Sequence, residues 1–123
     1  MAAPARVIGF IPTKDFRRAK QFYAGKLGLR FVSKDAFALV FKSGGTTIRV
    51  VKVPGFKPAD YTILGWCVAD VPRRVTALGK RGLVFERYPG MQQDALGIWT
   101  APGGARIAWF KDPDGNVLSL SAR

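Results

Sequence analysis

The chain repeats one pattern of local signals, and this repetition constrains its fold more than any other feature. Asp15 precedes a first helical pattern and Asp70 a second, and an Arg-Arg pair follows each aspartate closely. A Gly-Leu pair ends each pattern, at Gly28 and again at Gly82. Aspartate accepts hydrogen bonds from the free N–H groups that open a helix, and glycine is favoured at its end, so both stretches predict capped helices. The chain therefore predicts two copies of one supersecondary unit.

The first half predicts a βαβββ order. Ala19, Phe22 and Leu27 recur at helical spacing and predict one apolar face, whereas β-branched and aromatic residues cluster before and after this helix. Gly44 and Gly45 suit a tight hairpin. The predicted elements are a strand at 6–12, a helix that begins at Phe16, and strands at 29–33, 37–42 and 46–53.

The second half repeats this order with an insertion at about 87–104. The residues from Asp112 to Asn116 predict a turn, because proline fixes one corner and glycine supplies a positive φ. The predicted elements are a strand at 61–68, a helix from Val71 that stops at Gly82, a strand at 83–87, and extended segments at 97–101, 105–111 and 117–120.

Composition predicts one globular domain over residues 1–123, with modules at about 1–58 and 59–123. The chain has 48% hydrophobic and 23% charged residues, which is ordinary for such a domain. Its only cysteine is Cys67, so an intramolecular disulfide is impossible. No apolar run reaches the roughly 18 residues of a membrane span, and the first residues are too polar for a signal peptide. We expect a cytoplasmic protein with no membrane partner.

The absence of histidine and the excess of basic residues limit the chemistry and the partners of the chain, and they favour anionic small molecules as partners. The chain has no histidine, so histidine-dependent catalytic triads and histidine zinc sites are excluded. Its formal net charge is +12, which attracts anions. Basic residues lie on both predicted helices, but no aromatic stacking platform alternates with them. A solvated outer face is therefore favoured over binding of nucleic acid.

Three features together resemble the vicinal oxygen chelate superfamily, which contains glyoxalase I, bleomycin-resistance proteins and extradiol dioxygenases. They are the duplicated βαβββ unit with Phe22-Tyr23 on its first helix, the sequence Leu27-Gly28-Leu29, and the turn from Asp112 to Val117. The resemblance covers nearly the whole chain. It implies an α+β fold in which two βαβββ modules form a curved mixed sheet with a concave cleft and helices on the convex side. It also implies a homodimer that functions through the cleft.

The family's metal-binding positions carry other residue types in this chain. By the resemblance, the four positions fall on Ile8, Arg49, Ile63 and Ser119. A divalent cation needs three or four nitrogen, oxygen or thiolate donors, which isoleucine lacks, and a guanidinium repels the ion. We therefore expect no metal and no cofactor, and we do not transfer glyoxalase or dioxygenase chemistry.

Strand alternation from Ile8 and Ile63 predicts which residues line the cleft. The set is mainly apolar, with one guanidinium, one hydroxyl and one thiol, and it suits a small anionic or aromatic molecule. Arg49 is the predicted anchor, although it could instead be an ion-paired edge residue. Cys67 is expected to be a buried small side chain rather than a nucleophile. The predicted ligand-binding residues in the strands are Ile8, Phe10, Arg49, Val51, Ile63, Cys67 and Ser119.

The insertion leaves two interpretations open. Met91 and Trp99 could close over a ligand, and we include both in the predicted site. Alternatively, Trp99 belongs to an additional strand and packs in the core or a dimer interface. The alternative function is that of a metal-independent lyase or isomerase that uses Glu86 or Asp94 as a general base.

Overall fold

The computed structural model describes residues 4–123, and this part of the chain falls into two compact units, 4–57 and 58–123. Each unit contains one four-stranded sheet and its own helix. Within the described part of the chain, no helix is both long enough and apolar enough to cross a membrane.

The first unit is a mixed sheet with a helix on one face. The elements are β1 (Ile8–Thr13), α1 (Phe16–Lys20) with a π-helical continuation (Gln21–Lys26), β2 (Arg30–Lys34), β3 (Ala38–Ser43) and β4 (Thr46–Lys52). The strands lie in the order β1-β4-β3-β2, with β1 parallel to β4 and the other pairs antiparallel. Helix α1 packs against β3 and β4.

The helical segment of the first unit begins after a capping aspartate and changes from α-helix to the wider π-helix towards its end. Asp15 accepts a hydrogen bond from the Arg18 N–H at 3.2 Å. The Leu27 N–H donates to the Phe22 carbonyl at 2.9 Å, a five-residue step typical of π-helix. The sequence predicted the cap and the stop at Gly28, whose φ is 78°, but not the π-helical geometry. Tyr23 is fully buried, with its ring 5.8 Å from that of Phe41.

The second unit repeats this arrangement. The elements are β5 (Thr62–Cys67), α2 (Val71–Lys80), β6 (Trp99–Thr100), β7 (Arg106–Lys111) and β8 (Val117–Ala122). The strands lie in the order β5-β8-β7-β6, with β5 parallel to β8. Asp70 caps α2 by accepting from the Arg73 N–H at 3.0 Å, and α2 packs against β7 and β8. The predicted α+β class with two βαβββ modules is thus confirmed.

The prediction of a strand at 83–87 was wrong. Two short segments share the outer edge of β7 instead. Phe85 forms a single bridge with Phe110, and further along the same edge Trp99 pairs with Ile107 in β6. The loop between them is held by Gln93. Its amide nitrogen donates to the Glu86 and Gly97 carbonyls at 2.9 and 2.8 Å. Trp99 therefore belongs to an additional strand, as one interpretation of the insertion predicted. Contact of Met91 and Trp99 with a ligand stays a prediction.

The Asp112 turn joins β7 to β8, as predicted. The Asp112 carboxylate accepts from the backbone N–H groups of Asp114 and Asn116, both at 2.9 Å, and from the Asn116 side-chain amide at 2.9 Å. Gly115 adopts a φ of 88°. Both Asp112 and Asn116 are buried, so these hydrogen bonds replace water around a charged group.

Candidate functional site

In the first unit, the sheet face opposite α1 carries the predicted binding residues. The register pairs Phe10 with Arg49 and Ile8 with Thr47, so alternation places their side chains on one face. Ile11 and Val50 lie on the helix side and are buried, whereas Phe10 is 64% exposed and Ile8 49%. This face therefore presents large apolar side chains that α1 does not cover. Val51, two residues after Arg49, is partly buried there.

Arg49 lies between Phe10 on β1 and Val40 on β3. Its Nη2 atom is 3.4 Å from Asp35 Oδ2, so it forms an ion pair with the β2–β3 hairpin. Backbone N–H groups of Phe37 and then Ala38 hold the pKa of Asp35 below its usual value, and the Arg49 charge adds to this effect. The pair is partly exposed, so it positions the guanidinium more than it stabilises the fold. The remaining guanidinium N–H groups can donate to an anion.

In the second unit, the sheet face opposite α2 combines small and aromatic side chains. Ser119 on β8 pairs with Gly65 on β5 and with Trp109 on β7. The neighbouring Leu118 and Leu120 lie on the helix side and are buried. Ser119 thus lies on the face that alternation predicts.

A group of three rings, Tyr88, Trp99 and Trp109, forms the aromatic cluster of this face. The Trp109 ring centroid lies 5.6 Å from that of Tyr88, at 82°, and 6.1 Å from that of Trp99, at 35°. These geometries are typical of favourable aromatic pairs. Burial raises the pKa of Tyr88, and the nearby Glu86 charge raises it further.

Tyr88 and Trp109 were not predicted from the sequence as residues of this face. A signal for Trp109 was available: it precedes Phe110, which corresponds to the core residue Phe41 of the first module. Strand alternation then places Trp109 on the opposite face. Tyr88 carried no comparable signal, because it follows the segment that forms only a single bridge.

A match to a family model shows to which superfamily the chain belongs. The family model described as Glyoxalase/Bleomycin resistance protein/Dioxygenase superfamily matches residues 5–120. The chain belongs to this superfamily. The resemblance seen in the sequence is thereby confirmed.

Solved structures of the superfamily share the fold at low sequence identity. A glyoxalase family protein from Bacillus anthracis superposes with a TM-score of 0.76 at 16% identity, over 100% of this chain and 98% of that one. A superfamily member from Sphaerobacter thermophilus gives 0.72 at 24% identity, over 98% of each chain. One from Alicyclobacillus acidocaldarius gives 0.72 at 17%, over 96% and 90%. No curated protein matches the chain.

At the positions that the resemblance assigns to the superfamily's metal ligands, the side chains do not suit a divalent ion. The resemblance places these positions at Ile8 and Arg49 in the first unit and at Ile63 and Ser119 in the second. The isoleucines have no donor atoms and the guanidinium is cationic. Among residues 4–123, no three His, Cys, Asp or Glu side chains lie together as a metal site requires.

The two carboxylates considered as general bases are both engaged by neighbours. Asp94 accepts from the N–H groups of Leu96 and Ile98, both at 2.9 Å, and lies 3.7 Å from the Arg106 guanidinium. Glu86 Oε1 lies 3.6 Å from Lys111 Nζ. Asp94 therefore organises the loop before β6, while Glu86 lies near the aromatic cluster.

Three other predicted site residues lie in less regular positions. A β-bulge between Thr62 and Leu64 interrupts the pairing at Ile63, so simple alternation does not hold there. Met91 is partly buried in the loop before β6, where its N–H donates to the Tyr88 carbonyl at 3.2 Å. The expectation that Cys67 is buried was wrong. Cys67 ends β5, an edge strand, on the face that α2 does not cover, and is therefore exposed.

Proposed function

We propose that this superfamily member binds a small anionic or aromatic organic molecule, without a metal, on a sheet face that lies opposite a helix. The observation that carries the proposal is the exposure of Phe10, 64%, and Ile8, 49%, beside Arg49 on one sheet face. Exposed apolar patches of this kind mark binding surfaces, because contact with a ligand removes them from water.

Arg49 supplies the polar selectivity of this proposed site. A guanidinium binds carboxylates through paired N–H donors, and apolar neighbours strengthen that interaction by excluding water. Asp35 holds the guanidinium in place at 3.4 Å. The net charge of +12 attracts anions to the surface and disfavours cationic drugs.

A thermal-shift screen of organic acids tests the proposal. An acid that raises the Tm of the wild type is expected to raise the Tm of Arg49→Ala much less. Arg74→Ala is the matched control, because Arg74 is an exposed arginine on α2 with no ion pair among the described residues. The proposal fails if no acid stabilises the wild type, or if Arg49→Ala responds as fully as the control.

A homodimer and a cytoplasmic location, both expected from the sequence analysis, remain predictions. Light scattering during size-exclusion chromatography measures the mass of the assembly, and a mass of one chain would contradict the first.

A further inference from the structure

Ser119 is a nearly buried hydroxyl without a protein partner. The residue is only 9% exposed, yet its side chain takes part in no hydrogen bond among residues 4–123. In that part of the chain, every fully enclosed side-chain oxygen or nitrogen has a hydrogen-bond partner. Because the Ser119 oxygen has none, it is not fully enclosed and must reach open space. A hydroxyl kept away from most of its water without a partner is costly, unless a ligand completes its hydrogen bonding.

Gly65 provides the open space in front of this hydroxyl. It pairs directly with Ser119 across the β5–β8 contact. A Cβ atom at Gly65 would collide with Ser119 Oγ. The φ of Gly65 is not positive, so the backbone does not require glycine here. Glycine in a strand often marks a place where another group approaches closely.

Trp109 forms the aromatic wall on the other side of Ser119. It pairs with Ser119 across the β7–β8 contact, and Tyr88 and Trp99 pack against its ring. These two ring contacts restrict the orientation of the indole. A rigid indole beside a single hydroxyl favours a flat ring that carries an oxygen acceptor at its edge.

We infer that Gly65, Ser119 and Trp109 form a specificity subsite for planar aromatic carboxylates. This inference rests on the proposed function and names its substrate class. The aromatic ring lies against Trp109, and a carboxylate oxygen accepts a hydrogen bond from the Ser119 hydroxyl through the gap at Gly65.

Calorimetric titration with 2-naphthoate tests the subsite. Its saturated analogue, decahydro-2-naphthoate, keeps the charge and approximate size but lacks the aromatic ring. The wild type is expected to bind 2-naphthoate and to bind the saturated acid more weakly. Ser119→Ala is expected to weaken 2-naphthoate binding about tenfold, the effect of one hydrogen bond to a charged acceptor.

Two matched controls isolate the subsite. Ser121→Ala removes a hydroxyl from the same strand and the same face, and is expected to bind 2-naphthoate as the wild type does. Gly65→Ala places a methyl group against Ser119 and is expected to abolish the preference for the aromatic acid. Gly79→Ala adds the same methyl group in open space on α2 and is expected to change nothing. Ser119→Ala removes only an oxygen atom, so it provides the test even if Gly65→Ala does not fold.

The inference is overturned if 2-naphthoate does not bind the wild type, or if Ser119→Ala binds it as tightly as Ser121→Ala does. Equal affinity for the aromatic and saturated acids also overturns it. Each of these results leaves the proposed function intact, provided that another organic acid stabilises the wild type through Arg49. Loss of every response in the organic-acid screen is the separate failure of the proposed function.

Discussion

At the scale of single residues, the hydrogen bonds around a few aspartates explain much of the local order. Asp15 and Asp70 open helices, whereas Asp35 closes the β2–β3 hairpin by accepting from two backbone N–H groups at 2.8 and 2.9 Å. Each carboxylate satisfies donors that would otherwise lack partners. Most of the acidic residues are therefore already engaged in organising the backbone.

Asp35→Asn separates the charge of Asp35 from its hydrogen bonds. The folded pKa of Asp35 lies below the usual 3.8, because the Phe37 and Ala38 N–H groups and Arg49 favour the carboxylate. The charged form therefore contributes stability above pH 3.8, and this contribution is lost as the pH falls through the lower folded pKa. We expect Asp35→Asn to lower the urea midpoint at pH 7 but much less at pH 2.

Asp60→Asn is the control, because Asp60 is exposed and has no ion pair among the described residues. A midpoint difference between wild type and Asp35→Asn that is the same at both pH values would contradict the prediction.

At the scale of elements, the sequence predicted helices, caps and turns, which depend on local patterns. It did not predict which segments pair at the edges of the sheets. The caps at Asp15 and Asp70, the Gly28 stop and the Asp112 turn depend on neighbouring residues, so local signals predicted them. The strand expected at 83–87 depends on which segment pairs with the β7 edge, a long-range competition that Trp99 wins at one end. For the same reason, the bulge at Ile63 and the ring partners of Trp109 could not be predicted from the sequence. Arg49 was predicted as a ligand anchor from its position in the strand pattern, but its ion pair with Asp35 was not predicted.

The Asp112 turn is expected to be the most sensitive of the connections. Asp112→Ala removes three acceptor contacts at a buried site and leaves the donors of Asp114 and Asn116 without that partner. We expect a loss of about 2–4 kcal/mol in the free energy of unfolding, measured by urea denaturation. Asp60→Ala, which removes an exposed carboxylate from the same unit, is expected to change it by less than about 0.5 kcal/mol. Equal effects of the two substitutions would exclude a special role for the turn.

At the scale of the whole molecule, positive charge opposes folding. The chain carries 20 Lys and Arg residues against 8 acidic residues, so its formal net charge is +12. Mutual repulsion among the excess cations therefore raises the free energy of the compact state. The same excess of positive charge attracts small anions to the surface.

Added salt is consequently expected to stabilise the protein. Raising NaCl from about 20 to about 300 mM shortens the range of the repulsion to below about 10 Å, so the Tm should rise by a few degrees. Differential scanning calorimetry measures the change, and KCl should give the same result if screening is the cause. A Tm that falls with either salt would show that attraction between opposite charges outweighs the net repulsion.

The short β6 strand also bears on how copies of this protein behave at high concentration. Two residues, Trp99 and Thr100, with the single bridge at Phe85, provide little continuous backbone onto which a foreign strand could add. In the other unit, the outermost strand β2 is interrupted by an irregularity between Phe31 and Ser33 and carries Arg30 and Lys34. Short, irregular or charged margins discourage strand addition and the growth of fibrils. The insertion in the second half of the chain is thus expected to make the β6 edge a poor template for strand addition, in addition to placing Trp99.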